Sequence, residues 1–271
     1  MHSADDVSDQ STAQPSLPKL NILAYLSLPG SGVLIFLGLF AIAPMLPAVR
    51  AHFETSANVD ILVQTIGAMS PLTFAIGSLF SSSVMDHFGF RTVYLVSVLV
   101  LGIAGSSAGL MDNLYAIIFT RALVGFAAAG IVNGALVAIG RLLAESAQTR
   151  TMALQTLVGS CVAIVLFPVV GTLAGISWRL AFAIHLIAIL FVPLLLVLPA
   201  SVRAAPGAQP KGNLRRAAVD LGALVSTTAV FSGMVIFAIS MFAPMFLVSL
   251  GVTSPQLLSI PPTATVIGSA T

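Results

Sequence analysis

The sequence predicts an all-α fold that lies within a lipid bilayer, on three observations. Of its 271 residues 58% are hydrophobic and only 7% charged, where a soluble domain has roughly a quarter charged. Such a chain lacks the polar groups to cover a water-facing surface. Several apolar runs also exceed the roughly 20 residues that cross a bilayer's hydrocarbon core. Within lipid every backbone polar group must bond internally, which leaves helices or closed barrels. The runs are far longer than a barrel strand of about 10 residues and show no alternation, so they are helices.

Taken in order, residues 1–25 form a polar cytoplasmic tail with Asp5, Asp6 and Asp9. The tail lacks the basic start and short apolar core of a cleaved signal peptide. The first span, 26–49, holds Gly30, Gly32 and Gly38 and closes on Ala43-Pro44-Met45-Leu46-Pro47, with Arg50, His52 and Glu54 in water beyond. The second runs over 61–84. After it the stretch from Ser81 to Arg91 packs Asp86, His87 and Arg91 between two apolar runs, and is expected to be a tight loop in water. Gly89 suits that reversal, because a sharp turn often needs a backbone conformation that only glycine adopts cheaply.

The third span, 92–111, holds Gly105 and Gly109 one helical turn apart, a small-residue face that lets helix backbones approach closely. Asp112 and Asn113 make a short turn into the fourth span, 115–139, which is followed by Arg141, Glu145 and Arg150. The fifth covers 152–176. Trp178 and Arg179 mark the next interface, and the sixth span ends near Leu198. Residues 26–199 are therefore a six-helix half. A linker at 200–218 follows, rich in Pro, Gly and basic residues, and 219–271 holds a seventh span (219–250) and the start of an eighth.

Basic residues orient the whole. Alternate loops place Lys19, Arg91, Arg141, Arg150, Arg203, Lys211, Arg215 and Arg216 on one side, and only Arg50 and Arg179 on the other. Cytoplasmic loops carry the excess of Lys and Arg, so the N-terminus and the linker face the cytoplasm. The same placement argues against nucleic acid as a partner, since the basic residues sit between apolar runs. The single cysteine, Cys161, forms no intrachain disulfide.

Polar residues inside the spans are the candidate site. Arg121 lies several residues into the fourth span, where a charge costs at least about 2.5 kcal/mol. Helical geometry puts Gly125, Ala128, Val132 and Ala135 on its face, a stripe suited to lining a watery cavity, with Gly130 and Gly134 opposite for close packing. The alternative is an arginine snorkelling to the headgroups. Gln64, Asn133 and Gln155 either touch substrate or bond a neighbouring helix, and the position of Asn133, well around from Arg121, favours packing. His185, about two turns into the sixth span, is either a proton relay or a neutral structural histidine. A membrane enzyme would need a nucleophile with its base, paired carboxylates or metal ligands at one depth. No such cluster appears, nor any cofactor motif.

The chain carries an internal echo. Ile42-Ala43-Pro44-Met45-Leu46 reappears as Phe242-Ala243-Pro244-Met245-Phe246, each followed shortly by a Thr-Ser pair, Thr55-Ser56 and Thr253-Ser254. This implies two halves offset by about 200 residues, as transporter folds built from repeats have. On that alignment Thr271 falls inside the copy of the second span. The chain is then expected to be part of a longer one, roughly 400 residues when complete.

With these features the sequence resembles the major facilitator superfamily, over essentially all of its ordered length. The family's loop between helices two and three has a small residue, three more, then Asp-Arg-x-Gly-Arg-Arg/Lys. Here Ser82, Asp86, Gly89 and Arg91 match it, with His87 and Phe90 at positions usually basic. Its fourth helix carries Arg-x-x-x-Gly, seen as Arg121 to Gly125. Its fifth, in antiporter branches, carries a glycine-rich pattern around Gly-Pro, of which Ala163, Pro168 and Gly171 remain, while Phe167 precedes the proline. The resemblance implies a secondary transporter working by alternating access, with a small-molecule substrate, protons as coupling ion and drug-like or metabolite efflux. Uptake of a small organic anion and a truncated product that does not transport are the alternatives. It further implies that Asp86 latches the two halves on the cytoplasmic side, that Arg121 serves proton coupling or an anionic substrate group, and that the full-length protein is a monomer in the cell's inner membrane.

Overall fold

The computed structural model describes residues 21–199, 239, 242, 243 and 245–252. The tail to residue 20, the linker, most of the seventh span and all of the eighth lie outside the described residues. Among the described residues six stretches are long and apolar enough to cross a membrane: Ile22–His52, Val59–Phe88, Phe90–Leu110, Leu114–Leu142, Glu145–Ile176 and Trp178–Leu196. Among the described residues every regular element is helical.

The first span is two helices, α1 (Ile22–Leu39) and α2 (Leu46–His52), joined through a 3-10 turn at Ala43–Met45. Pro44 and Pro47 lack the N–H an α-helix would need there, so the chain tightens to bonds three residues apart, Met45 N to Ile42 O at 2.9 Å. The second span is α3 (Val59–Phe88), the third is α4 (Phe90–Ser107) with a short 3-10 end, the fourth α5 (Leu114–Leu142) and the fifth α6 (Glu145–Ile176). Asn113 starts α5 by accepting a hydrogen bond from Tyr115 N at 2.8 Å, which satisfies one of the helix's free amides.

The sixth span departs from a simple helix. A short α7 (Trp178–Phe182) leads into nine residues of 3-10 helix, Ala183–Phe191, and then α8 (Val192–Leu196). At three residues per turn, Phe182, His185 and Ala188 fall in one buried row. That row meets a matching row of glycines on the third span. A side chain at Gly102 would strike Ile189, one at Gly105 would strike His185, and one at Gly109 would strike Arg179 O. The two helices approach so closely because three successive turns of one carry no side chain on the shared face.

Burial orders the bundle. In the first and fourth spans 67% and 61% of the most apolar stretch lies inside, against 28% in the second, fifth and sixth. Helix α5 packs on α3, α4 and α1, and α1 packs on α6. The outward faces stay apolar, with Leu79, Phe80, Leu110, Phe119, Ile176 and Leu190 exposed. On a water-soluble protein such a surface would aggregate; against acyl chains it is solvated.

Two expectations change. The segment from Ser82 to Arg91 is not a loop: Ser82 and Asp86 belong to the last turns of α3, and α4 begins at Phe90. Gly89 alone reverses the chain, at φ 82° and ψ 140°, a conformation closed to side-chain-bearing residues. The stripe of small residues below Arg121 is also not a cavity wall. Gly125 packs on Ser70, Thr73 and Phe74 of α3, and Ala128 faces Gly38 of α1. Residues this small are what such close crossings require, and both faces of α5 use them, since Gly130 meets Ser97 and Gly134 meets Tyr94.

Candidate functional site

Arg121 lies seven residues into α5, about 10 Å along its axis at 1.5 Å per residue. It is 1% exposed, so it neither snorkels nor faces lipid. Its Nη2 donates to the carbonyl of Gly105 at 2.9 Å, and its guanidinium sits 5.2 Å from the ring centre of Phe182. Nη1 lies 3.3 Å from His185 Nε2. A guanidinium can only donate, so Nε2 accepts and the imidazole proton sits on Nδ1, 3.0 Å from the Phe182 carbonyl. Arg121 Nε is buried without a partner. The backbone of Arg121 is held as well, its carbonyl accepting from Ser70 Oγ at 3.0 Å.

Among the described residues this charge has no counter-ion. The described carboxylates are Glu54, Asp60, Asp86, Asp112 and Glu145, and all five stand at the ends of spans. A cation buried among helices without a carboxylate is costly. It is held by a carbonyl dipole, a neutral imidazole and an aromatic face.

The other polar candidates are not gathered around it. Gln64 is exposed on α3. Asn133 is half-buried and donates to the carbonyl of Ala129, one turn back on its own helix, at 2.9 Å. Gln155 bonds a neighbouring helix: its Nε2 donates to Ser31 Oγ of α1 at 2.7 Å. Beside that bond α1 and α6 touch through backbone, since a side chain on Gly32 would collide with Gln155 O and lie 2.9 Å from Gly159 N. On α6, Ala163 and Gly171 are buried and Pro168 is half-buried within an unbroken helix, next to Phe167, whose ring meets Phe36 at 4.9 Å. Of the candidates, the fold brings together Arg121 and His185.

At the end of the bundle that carries Gly89, Asp86 is exposed and has no ion pair among the described residues. Arg91 reaches across to donate to the Leu196 carbonyl at the close of the sixth span. Arg141 lies 5.7 Å over the ring of Phe90. The opposite end is different. Arg50 pairs with Asp60 at 2.6 Å, and Arg179 pairs with Asp112 while also donating to Gly109 O at 3.0 Å. Every described arginine at that end is neutralised by an aspartate.

An apolar groove of about 430 Å³ opens where α3 and α4 splay apart over α5, lined by Gly77, Phe80, Val84, Val96, Phe126 and Gly130 among others. It does not reach Arg121. The sequence names Gly105 and Gly109 as a close-packing face but leaves out Gly102 and the partner that fills each notch. The signal was present, since Gly102, Gly105 and Gly109 recur at helical spacing, but nothing in one dimension tells which side chain enters which notch.

Comparison with known proteins follows the same lines. A family model described as the Major Facilitator Superfamily matches residues 30–271. Inner membrane transport protein YnfM of Escherichia coli (strain K12) is 29% identical over 135 residues, a match covering 47% of this chain and 31% of that protein. The crystal structure of a D-xylose-proton symporter superposes with a TM-score of 0.67 over 92% of this chain and 66% of that one, at 13% identity. At that identity the likeness is one of fold. The chain thus spans less than two thirds of either relative.

Proposed function

The chain belongs to the Major Facilitator Superfamily, and on that premise we propose that it is the first half, with the start of the second, of a secondary active transporter. It moves a small solute by alternating access, two helical halves rocking about a central site and joined by the basic linker at 200–218. The observation that carries this reading is Arg121, a fully buried guanidinium without a carboxylate partner in the described bundle. Buried charge of this kind is expensive in lipid and marks solute or ion pathways.

Protons are the coupling ion in this reading, supported by the printed name of the D-xylose-proton symporter that shares the fold. The protein sits in the inner membrane, as the name of the YnfM relative says of that protein. The end carrying Gly89 faces the cytoplasm in this reading, because it collects Arg91, Arg141 and Arg150 against Arg50 and Arg179 at the other end, and cytoplasmic loops carry the excess of basic residues. The direction is efflux of a drug-like or metabolite solute. A second reading, uptake of a small organic anion with protons, is favoured by the lack of a counter-ion at Arg121 among the described residues. In this reading Asp86 latches the two halves together across the cytoplasmic seam.

The test is transport in proteoliposomes of the whole protein, with labelled lipophilic drugs, sugars and organic anions, under a pH gradient of either polarity. One class moves with the gradient and stops in Arg121→Ala. Failure of every class to move under either polarity overturns the proposal.

A further inference from the structure

We propose that Gly105 and His185 are positioning residues that form a fixed socket for Arg121, in which His185 is a permanently neutral acceptor and not a proton carrier. This rests on the reading of Arg121 as the charged centre of the solute pathway, and it assigns within that pathway which group does not titrate.

Three observations carry it. First, both ring nitrogens of His185 are already committed. Arg121 has no acceptor to offer, so the 3.3 Å contact obliges Nε2 to be bare, and the one imidazole hydrogen goes to Phe182 O from Nδ1. A second proton would have to sit on Nε2, directly against the guanidinium. Second, among the described residues no carboxylate offsets that repulsion, and the only acceptors the ring meets are the backbone carbonyls of Phe182 and Leu37. The charged and titratable groups of α1, α3, α4, α6 and α7 lie at span ends, with Cys161 exposed and Tyr94 bonded to neither residue, so that among the described residues the pair sees carbonyls and the Phe182 ring. Third, Gly105 serves the socket twice. Its carbonyl takes Arg121 Nη2, and its missing side chain makes the notch for His185, whose ring carbons lie 2.5 Å from where a Cβ would stand. The same backbone position therefore sets the arginine and seats the histidine that steadies it.

The chain holds one tryptophan, Trp178, which serves as reporter. Its ring is 6.0 Å from Phe182, and Phe182 stacks on His185 at 6.4 Å. His52 also lies 5.1 Å from Trp178, so measurements use a His52→Gln background. In detergent, thermal unfolding and Trp178 emission are followed from about pH 5 to 8, the range in which an ordinary histidine titrates. His185→Gln keeps an acceptor near Nε2 but cannot titrate. It is expected to melt within about 2 °C of the background and to show the same emission at every pH. His185→Ala and Gly105→Ala each lose about 5 °C, and the double variant melts no lower than His185→Ala, because the notch matters only while the ring fills it. A pH step in emission that His185→Gln abolishes would make His185 the proton carrier and overturn the proposal. Additive losses in the double variant would overturn the role of Gly105. If His185→Ala fails to fold, the comparison of His185→Gln with its background still decides. These readouts need no substrate, so absence of transport by the parent protein sinks the transport reading, whereas melting and emission alone decide whether the socket exists.

Discussion

Ser31 and Gln155, 124 residues apart in the chain, share a 2.7 Å hydrogen bond that ties α1 to α6. Ser31 Oγ passes its own hydrogen to Leu28 O at 2.5 Å, so the amide of Gln155 meets a bare lone pair. Interhelical bonds of this type are worth about 0.6 to 1.7 kcal/mol in a membrane. Ser31→Ala and Gln155→Ala are each expected to cost about 1 kcal/mol, and the pair together less than the sum. A double-mutant cycle read by thermal unfolding checks this; strict additivity would mean the bond contributes nothing.

Gly125 is predicted to refuse even one methyl group. A Cβ there would collide with Thr73 Oγ1 and with the backbone carbonyl of Ser70. Overpacking of this kind costs about 1–3 kcal/mol. Thr73→Ala removes one obstacle and leaves the backbone one, so it should restore Gly125→Ala only in part. Full recovery in a melting assay would place the strain wholly on the threonine.

At Gly89 the cost is conformational rather than steric. Nothing stands within 4 Å of a side chain there, yet φ is 82° and ψ 140°. That region is close to glycine-only, so Gly89→Ala should cost about 1–3 kcal/mol. Asparagine tolerates the left-handed helical well, near ψ 47°, but not this one. Gly89→Asn is therefore expected to melt no higher than Gly89→Ala, and a clear rescue would show that the turn relaxes.

The Arg179–Asp112 pair is predicted to matter little to stability, since it is exposed and screened by water. Asp112→Asn should cost under about 1 kcal/mol. Arg179→Ala should cost more, because it also loses the bond to Gly109 O and the stacking over Trp178 at 4.6 Å. Unfolding midpoints at low and high salt separate the two: only the first contribution should fade with salt.

Arg121→Lys tests geometry against charge. A lysine keeps the positive charge but, as a compact point charge, lacks the planar fork that reaches Gly105 O and His185 together. Gradient-driven transport is expected to fall at least about tenfold, the effect of about 1.4 kcal/mol. Wild-type rates in Arg121→Lys would mean that charge alone suffices.

How much of this was legible in one dimension follows from what each feature depends on. The existence and approximate position of each span are properties of local composition, because lipid demands about 20 apolar residues wherever the chain crosses. The turn glycine could be named, but not the fact that α3 runs unbroken to Phe88, since Asp86 and His87 look like loop residues until a helix is seen carrying them out of the bilayer. Gly130 and Gly134 pack as their spacing suggests, but the stripe from Gly125 to Ala135, suited to a cavity wall, is a contact surface too. Small size suits a wet cavity and a tight crossing equally, and only the neighbouring helix decides between them.

Arg121 shows the same division. The sequence by itself determined that this is a helical membrane protein with a charge set inside its fourth span, because hydropathy and insertion cost act residue by residue along the chain. Only the tertiary structure decided that the charge is enclosed, that its neighbours are Gly105, Phe182 and His185, and that the histidine must be the acceptor. Those contacts join residues 16 to 64 positions apart. Pairings at that distance are set by which helices pack and how closely, a matter of interlocking shape that no local pattern encodes.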